Sequence, residues 1–234
     1  PKYLTDAQID EFEAQVPSLR LEKKKNKFPS DEVEKRLEIC NIVKRSCQQG
    51  LMISSYGTVS MRWKNNDFLI TPTNVNRWDL KIEDIVQIKK GKREQGKTPS
   101  RATYLHEEIY KNNPDVNSII MTQSPYLMAF AVTGEYLDVR TIPESWIFLQ
   151  DIDVVKFGTH FNKNTDKKII ENCNTALIVE NDSVIITGDK LLQTFDYLEV
   201  AEFSAKSIVL GNSLGEMVPI NDNQVEELRA KFLS

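Results

Sequence analysis

The sequence predicts an α/β fold, a mixed β-sheet covered by helices. Three observations carry that expectation. Short runs of apolar residues alternate with period two, other runs repeat with helical spacing, and the two kinds are interspersed along the chain. Two pairs of strands are joined by tight polar turns, which adds hairpins to the sheet. At 234 residues the chain can bury one substantial core.

Thr5 followed three residues later by Gln8 forms a capping-box pattern for a short helix to about Val16. Leu19 to Phe28 is basic and aperiodic, and reads as a linker. Pro29-Ser30-Asp31-Glu32 opens a helix, with Ser30 as cap and acids in the first turn. Val33, Leu37, Cys40, Val43 and Cys47 form its expected buried stripe, and Gly50 ends it. Val59, Met61 and Trp63 alternate with polar residues, Lys64 to Asp67 turns, and Phe68 to Ile70 returns. Ile85 to Ile88 is a further strand with a polar tip from Lys90 to Lys97. A helix from Thr103 to Asn112 stops before Pro114. Val116 to Thr122 is a strand, and Ser124-Pro125 has the form of a cap and first turn for a helix from Tyr126 to Val132. Strands are expected at Leu137 to Ile142 and Ile152 to Val155, and a helix at Asp166 to Glu171. Thr175 to Val179 and Val184 to Thr187 form a hairpin about the turn Glu180 to Ser183. Helices from Lys190 to Leu210 and from Asn223 to Phe232 complete the chain.

Composition narrows the function. Apolar residues make up 40%, charged residues 27%, and the net charge is -4 with both signs interleaved. That balance argues against general attraction to nucleic acid or to a membrane surface. The basic run Lys23, Lys24, Lys25 and Lys27 reads as solvated linker, and Lys89, Lys90, Lys92, Arg93 and Lys97 as a hairpin tip. No apolar stretch approaches the ~20 residues of a membrane span, and no signal-peptide pattern opens the chain. Cys40, Cys47 and Cys173 form no CxxC pair and read as free thiols of a reducing, cytoplasmic compartment.

No phosphate-binding glycine loop, dinucleotide fingerprint, nucleophile elbow or HExxH is present. His106 and His160 are the only histidines. Catalytic zinc usually takes three protein ligands with one open position, so two histidines on separate elements cannot build a three-histidine centre. His106, on a predicted helix, reads as a partly buried, hydrogen-bonded residue, and His160 as a loop residue.

From Leu37 to Leu210 the order of segments resembles the class II aldolase/adducin family. Tyr56-Gly57-Thr58-Val59-Ser60-Met61-Arg62 is similar to its Gly-Asn-x-Ser-x-Arg strand entry, and Ile70-Thr71-Pro72-Thr73-Asn74 to its Ile-Thr-Pro-Ser-Gly. Pro99-Ser100-Arg101-Ala102, Leu105-His106-Glu107-Glu108-Ile109-Tyr110 and Pro114-Asp115-Val116 resemble Pro-Ser-Ser-Glu, Leu-His-x-x-Ile-Tyr and Pro-Asp-Val. Gly188 to Leu192, with Leu198 to Glu202, resembles the closing helix. The resemblance implies a three-layer domain over 29–234, behind an N-terminal helix and linker over 1–28. Its sheet is mixed but mainly antiparallel, with helices on both faces, and the family tends to form tetramers.

The departures from the family pattern bear on chemistry. Family enzymes present paired imidazoles from His-Thr-His-Ser-Pro-Tyr, where positions i and i+2 of a strand share a face. Here the strand reads Met121-Thr122-Gln123-Ser124-Pro125-Tyr126, and the family's Asn-His-Gly turn is Asn181-Asp182-Ser183. The metal positions are therefore Met121, Gln123 and Asp182, and no cofactor is expected. The family acid/base position is Ala102, whose methyl moves no proton. The phosphate-cradle positions become Thr58, Asn74, Ser100 and Arg101, tentative ligand-binding residues. Arg101 can fork onto an anion, lie on the surface or fill the emptied metal pocket.

These changes favour a non-catalytic domain used for oligomerisation or ligand binding, with a homotetramer as its assembly and no resident zinc. The alternative is a sugar or sugar-phosphate lyase of aldolase type, an epimerase or a dehydratase with a rebuilt metal site. Glu107, Glu108, Asp182, Gln123 and His106 would then be its polar groups, around Mg²⁺ or Mn²⁺. A third reading is a sugar or anion sensor using Arg101, Ser100 and Thr58 without turnover.

Overall fold

The computed structural model describes residues 28–158 and 175–233. The expected N-terminal helix and linker up to residue 27, the helix over 166–171, His160 and Cys173 lie outside the described residues. Eight strands form one sheet: β1 (Thr58–Arg62), β2 (Phe68–Ile70), β3 (Val86–Lys89), β4 (Lys92–Arg93), β5 (Ser118–Thr122), β6 (Asp153–Val155), β7 (Ala176–Val179) and β8 (Ser183–Gly188). Their order is β4-β3-β2-β1-β5-β8-β7-β6. Neighbours run antiparallel except β6 and β7, which are parallel. The helices are α1 (Ser30–Gln48), α2 (Thr103–Asn112), α3 (Pro125–Thr133), α4 (Pro143–Leu149), α5 (Leu191–Gly211) and α6 (Asp222–Phe232). No helix among the described residues is long and apolar enough to cross a membrane.

Strand alternation divides the core into two layers, because successive side chains leave opposite faces of a sheet. Val59, Ile120, Ile178, Val184 and Ile186 pack with Ile39, Leu127, Phe195 and Leu198 from α1, α3 and α5. Ile119, Leu177, Val179 and Ile185 face the other way, against Leu105, Ile109 and Tyr110 of α2. The expected mixed, mainly antiparallel sheet between two helical layers is therefore the observed fold.

Several local expectations give way to packing. Ser30 is the first residue of α1, and Pro29 precedes it without a side-chain cap. The buried stripe of α1 is rotated: Leu37 is exposed and Cys40 only partly buried, while Glu32, Arg36, Ile39, Val43 and Cys47 face inward. The rotation is made possible by pairing. Arg36 Nε donates to Glu32 at 2.8 Å, Nη2 to Glu94 at 3.1 Å, and Nη1 to the carbonyls of Ile82 and Ile85. Burial pushes the Cys40 thiol up to about 12, so it stays protonated. Ser124 does not cap α3 with its side chain. The N–H groups of Tyr126 and Leu127 donate instead to the Glu202 carboxylate from α5, at 2.9 and 3.0 Å. A buried anion against the first turn satisfies two orphan donors and complements the helix dipole. Leu137 and Val139 are buried as alternation expects, but 135–142 is not a strand; the Arg140 carbonyl accepts from Ile220 N. The short helix α4, with Pro143 at its start, was not expected and buries Trp146 and Leu149.

Removing one member of the Arg36 cluster strands a carboxylate in the core. Arg36→Met is expected to cost about 3–5 kcal/mol, the usual loss on breaking a buried pair. The double variant Arg36→Met/Glu32→Gln should recover part of that. Urea unfolding of both proteins checks the pair.

Candidate functional site

The strand β1 enters the sheet from Gly57, whose φ of +90° favours glycine and whose missing Cβ would meet the Met52 side chain at 2.8 Å. Thr58 follows at the strand start, opposite Met121 of β5. Thr58 Oγ1 lies 2.6 Å from Ser100 Oγ, on the loop that leads into α2. That loop is tied down on its other side: Ser100 N donates to Thr71 O at 3.0 Å and Thr73 N to Thr98 O at 3.1 Å. Beyond β5 lies the β7–β8 turn. There Gln123 Nε2 donates to the Asp182 carbonyl at 2.7 Å, and Ser183 Oγ donates to Asp182 Oδ2 at 2.6 Å.

These groups enclose a cavity of about 200 Å³ at one end of the sheet, on the α2 side. It is smaller than the ~300–1,000 Å³ typical of drug-sized ligands. It reaches from β1 across β5 to the turn before β8, about 10 Å at the usual strand spacing. One end carries Thr58, Ser100 and Arg101; the other carries Gln123, Asp182 and Ser183. Ala102 and Met121 lie in the wall, and the exposed Tyr56 and Tyr104 also line it. Of the four expected ligand-binding residues, Thr58, Ser100 and Arg101 line the cavity. Asn74, exposed with a φ of +57°, does not. Met121, Gln123 and Asp182, far apart in sequence, do converge.

Other polar candidates turn away. Glu107 and Glu108 pair with Lys111 at 3.3 and 3.0 Å, and neither lines the cavity. His106 is fully buried, with Nδ1 2.7 Å from Ser60 Oγ, which is also 2.7 Å from Tyr110 OH. Burial lowers His106 to about 3, so the ring is neutral at physiological pH. It is a core residue, as expected from its helix, and more deeply buried than expected.

A profile of the class II aldolase and adducin N-terminal domain matches residues 37–209. The chain belongs to that family. A Methanococcus vannielii relative named L-fuculose phosphate aldolase is 31% identical over 176 residues, covering 73% of this chain and 91% of the relative. A Haemophilus influenzae protein named 3-oxo-tetronate 4-phosphate decarboxylase is 27% identical, covering 68% and 79%. The crystal structure of YgbL from Escherichia coli, described as a putative aldolase/epimerase/decarboxylase, superposes with a TM-score of 0.77 at 22% identity, covering 85% of this chain and 99% of that one.

The comparison corrects one expectation. Loss of the histidines read as loss of catalysis, yet the relatives matching most of this chain are named as an aldolase and a decarboxylase. A non-catalytic assembly domain is therefore not the reading carried forward. The residues at the positions where the resemblance places zinc can be judged by their donor chemistry. Met121, Gln123 and Asp182 offer a thioether, a neutral carboxamide and one carboxylate, where catalytic zinc takes imidazole, thiolate or several carboxylate donors. Among the described residues no three histidine, cysteine or acidic side chains converge. These residues do not fit a resident zinc ion.

Sequence reasoning missed Arg77, which holds the cavity's rear wall. Only 2% exposed, it donates from Nε and Nη2 to the Gly57 carbonyl at 2.9 and 2.8 Å, from Nη1 to Val75 O at 2.8 Å, and from Nη2 to Pro72 O at 3.0 Å. An arginine in a polar loop ordinarily faces solvent, so no local pattern marks it.

His106 sets an acid limit. Its folded pKa is depressed, so below the unfolded value of about 6.5 the unfolded chain binds the extra proton, and stability falls as pH drops from about 6.5 towards 3. The loss is at most about 1.4 kcal/mol per pH unit in that window. Urea melts from pH 7 to pH 4.5 should show His106→Gln less stable than wild type at neutral pH but with a shallower acid slope.

Proposed function

We propose that this chain is an enzyme acting on a small sugar phosphate, a lyase that cleaves a carbon–carbon bond in aldolase fashion. The observation that supports it is the division of the cavity: hydroxyls and a guanidinium at one end, a carboxylate and a carboxamide at the other. The names of the relatives point to the same substrate class. The phosphate lies against Thr58, Ser100 and Arg101, which directs the carbon skeleton across β5 towards the turn. Arg101 supplies the forked, charge-assisted contact that a phosphate favours.

Asp182, the one carboxylate lining the cavity among the described residues, takes the proton from the hydroxyl on the carbon about to become an aldehyde. The adjacent carbon–carbon bond breaks, and its electron pair moves onto the substrate's carbonyl as an enolate. The second amide N–H of Gln123 meets the developing oxyanion, and the proton returns from Asp182 to carbon. One N–H donor to an oxyanion contributes about 10²–10³-fold. A zinc Lewis acid contributes several kcal/mol more, so turnover should fall below the ~10 s⁻¹ of a median enzyme.

Purified protein incubated with L-fuculose 1-phosphate or 5-deoxy-D-ribulose 1-phosphate, with NADH-coupled detection of the products, tests this. Slow turnover that survives EDTA is expected. Arg101→Ala should raise KM about tenfold or more, the value of one charge-assisted contact, and Asp182→Asn should lower kcat about 10²–10⁴-fold. A thermal shift with these esters but no product would leave a binding protein in place of the enzyme.

We also propose a homotetramer. Phe203 and Leu210 on α5, with Leu214 and Val218 after it, leave large side chains exposed, as an assembly surface does. Light scattering at micromolar concentration is expected to give four times the 26.9 kDa chain mass; a monomer would refute this.

A further inference from the structure

We infer that Arg77 makes the cavity selective for a dianionic phosphate ester, acting as a buried positive charge behind the wall rather than as a contact within it. The inference rests on the sugar-phosphate reading above and adds a residue to it. Arg77 sits in a short turn of 3₁₀ helix (Arg77–Asp79) beneath the segment from Pro72 to Val75. Its guanidinium is bonded twice to the Gly57 carbonyl, which belongs to the peptide that leads into Thr58. The charge therefore stands immediately behind the residue that opens the hydroxyl end of the cavity, with Arg101 on the cavity's own lining.

Arg77 combines nearly complete burial with the absence of a carboxylate partner among the described residues. All its partners here are backbone carbonyls, at Gly57, Pro72 and Val75, so the four hydrogen bonds hold the turn in place while no anion offsets the desolvation of the buried ion. Arg36, also fully buried, is neutralised by Glu32 and Glu94, whereas the half-buried Arg62 meets only neutral oxygens and, unlike Arg77, keeps part of its guanidinium in solvent. Arg77 has no carboxylate partner among the described residues, and Cys47 is the ionisable neighbour that touches its titration. Burial lowers its pKa to about 10, which still leaves it charged at neutral pH. An unneutralised cation in a weakly polar interior acts over a longer range than one at the surface. Its effect is greatest on an anion that displaces water from the adjoining cavity. A phosphate monoester carries up to two negative charges near neutrality, with a second pKa of about 6, so it gains more than a carboxylate or a neutral sugar.

The variants that separate charge from clamp are Arg77→Lys, which keeps the charge, and Arg77→Gln, which keeps donors without it. The probe is L-fuculose 1-phosphate, followed by calorimetry for affinity and by ³¹P NMR for the second ionisation of the bound ester. In wild type that ionisation should lie below the free value of about 6. In Arg77→Gln it should move back towards the free value, with affinity lower on the order of tenfold. Arg77→Lys should restore both in large part. Arg101→Ala with Arg77 intact should keep part of the depression, a measurement that stands even where an Arg77 variant fails to fold. If wild type binds no phosphate ester, the sugar-phosphate reading fails. If it binds, but Arg77→Gln leaves the ionisation unmoved, or Gln and Lys weaken affinity equally with the ionisation unchanged, Arg77 is only a clamp and this inference alone is overturned.

Discussion

Thr58 lies opposite Met121 in the antiparallel pairing of β1 with β5, and β5 pairs in turn with β8 so that Met121 faces Ile185. This double register places the hydroxyl end of the cavity, its methionine wall and the Asp182 turn side by side. A slip of one residue in β5 would exchange Ile119 and Met121 with Ile120, turning one helical layer's contacts towards the other. Two apolar layers oppose that slip, because each strand residue already fits a particular face. The cavity is thus fixed by hydrophobic burial of the strands and of Leu105, which belongs both to the core and to the cavity wall.

Charge is handled in different ways within this frame. Arg36 and Glu32 share the buried side of α1, and Glu202 enters the core to hold the first turn of α3. Arg62 donates to the carbonyls of Tyr110, Asn113 and Val116, pinning the end of α2 to the start of β5. Ser60, Tyr110 and His106 form a buried hydrogen-bonded group between β1 and α2, with the imidazole neutral. These interactions spend polar residues on position rather than reaction. Ser60, Arg62, His106 and Tyr110, which also carry the family resemblance, thus have positional roles in this structure.

The misreading of function has a physical origin. By the family resemblance, Met121, Gln123, Asp182 and Ala102 stand where imidazoles and a glutamate would be expected, and the reading of lost catalysis rested on that donor replacement alone. The cavity still joins an end lined by hydroxyls and a guanidinium to a carboxylate–carboxamide end. Donor replacement tests a mechanism, whereas the shape and polarity of the pocket constrain the class of molecule that enters it.

By itself, the sequence determined most of the strands and helices and the family, because these follow from local periodicity, turn chemistry and the order of short motifs. It also located Thr58, Ser100, Arg101, Met121, Gln123 and Asp182 as the residues to watch. Only the tertiary structure decided which side of α1 is buried, that Glu202 rather than Ser124 satisfies the start of α3, that 137–142 packs without pairing, and that Arg77 lies behind the cavity. Each of those outcomes depends on a partner distant in the chain, Glu94 for Arg36 or Gly57 for Arg77. A window along the sequence contains the propensity of a residue but not the group that compensates its buried charge.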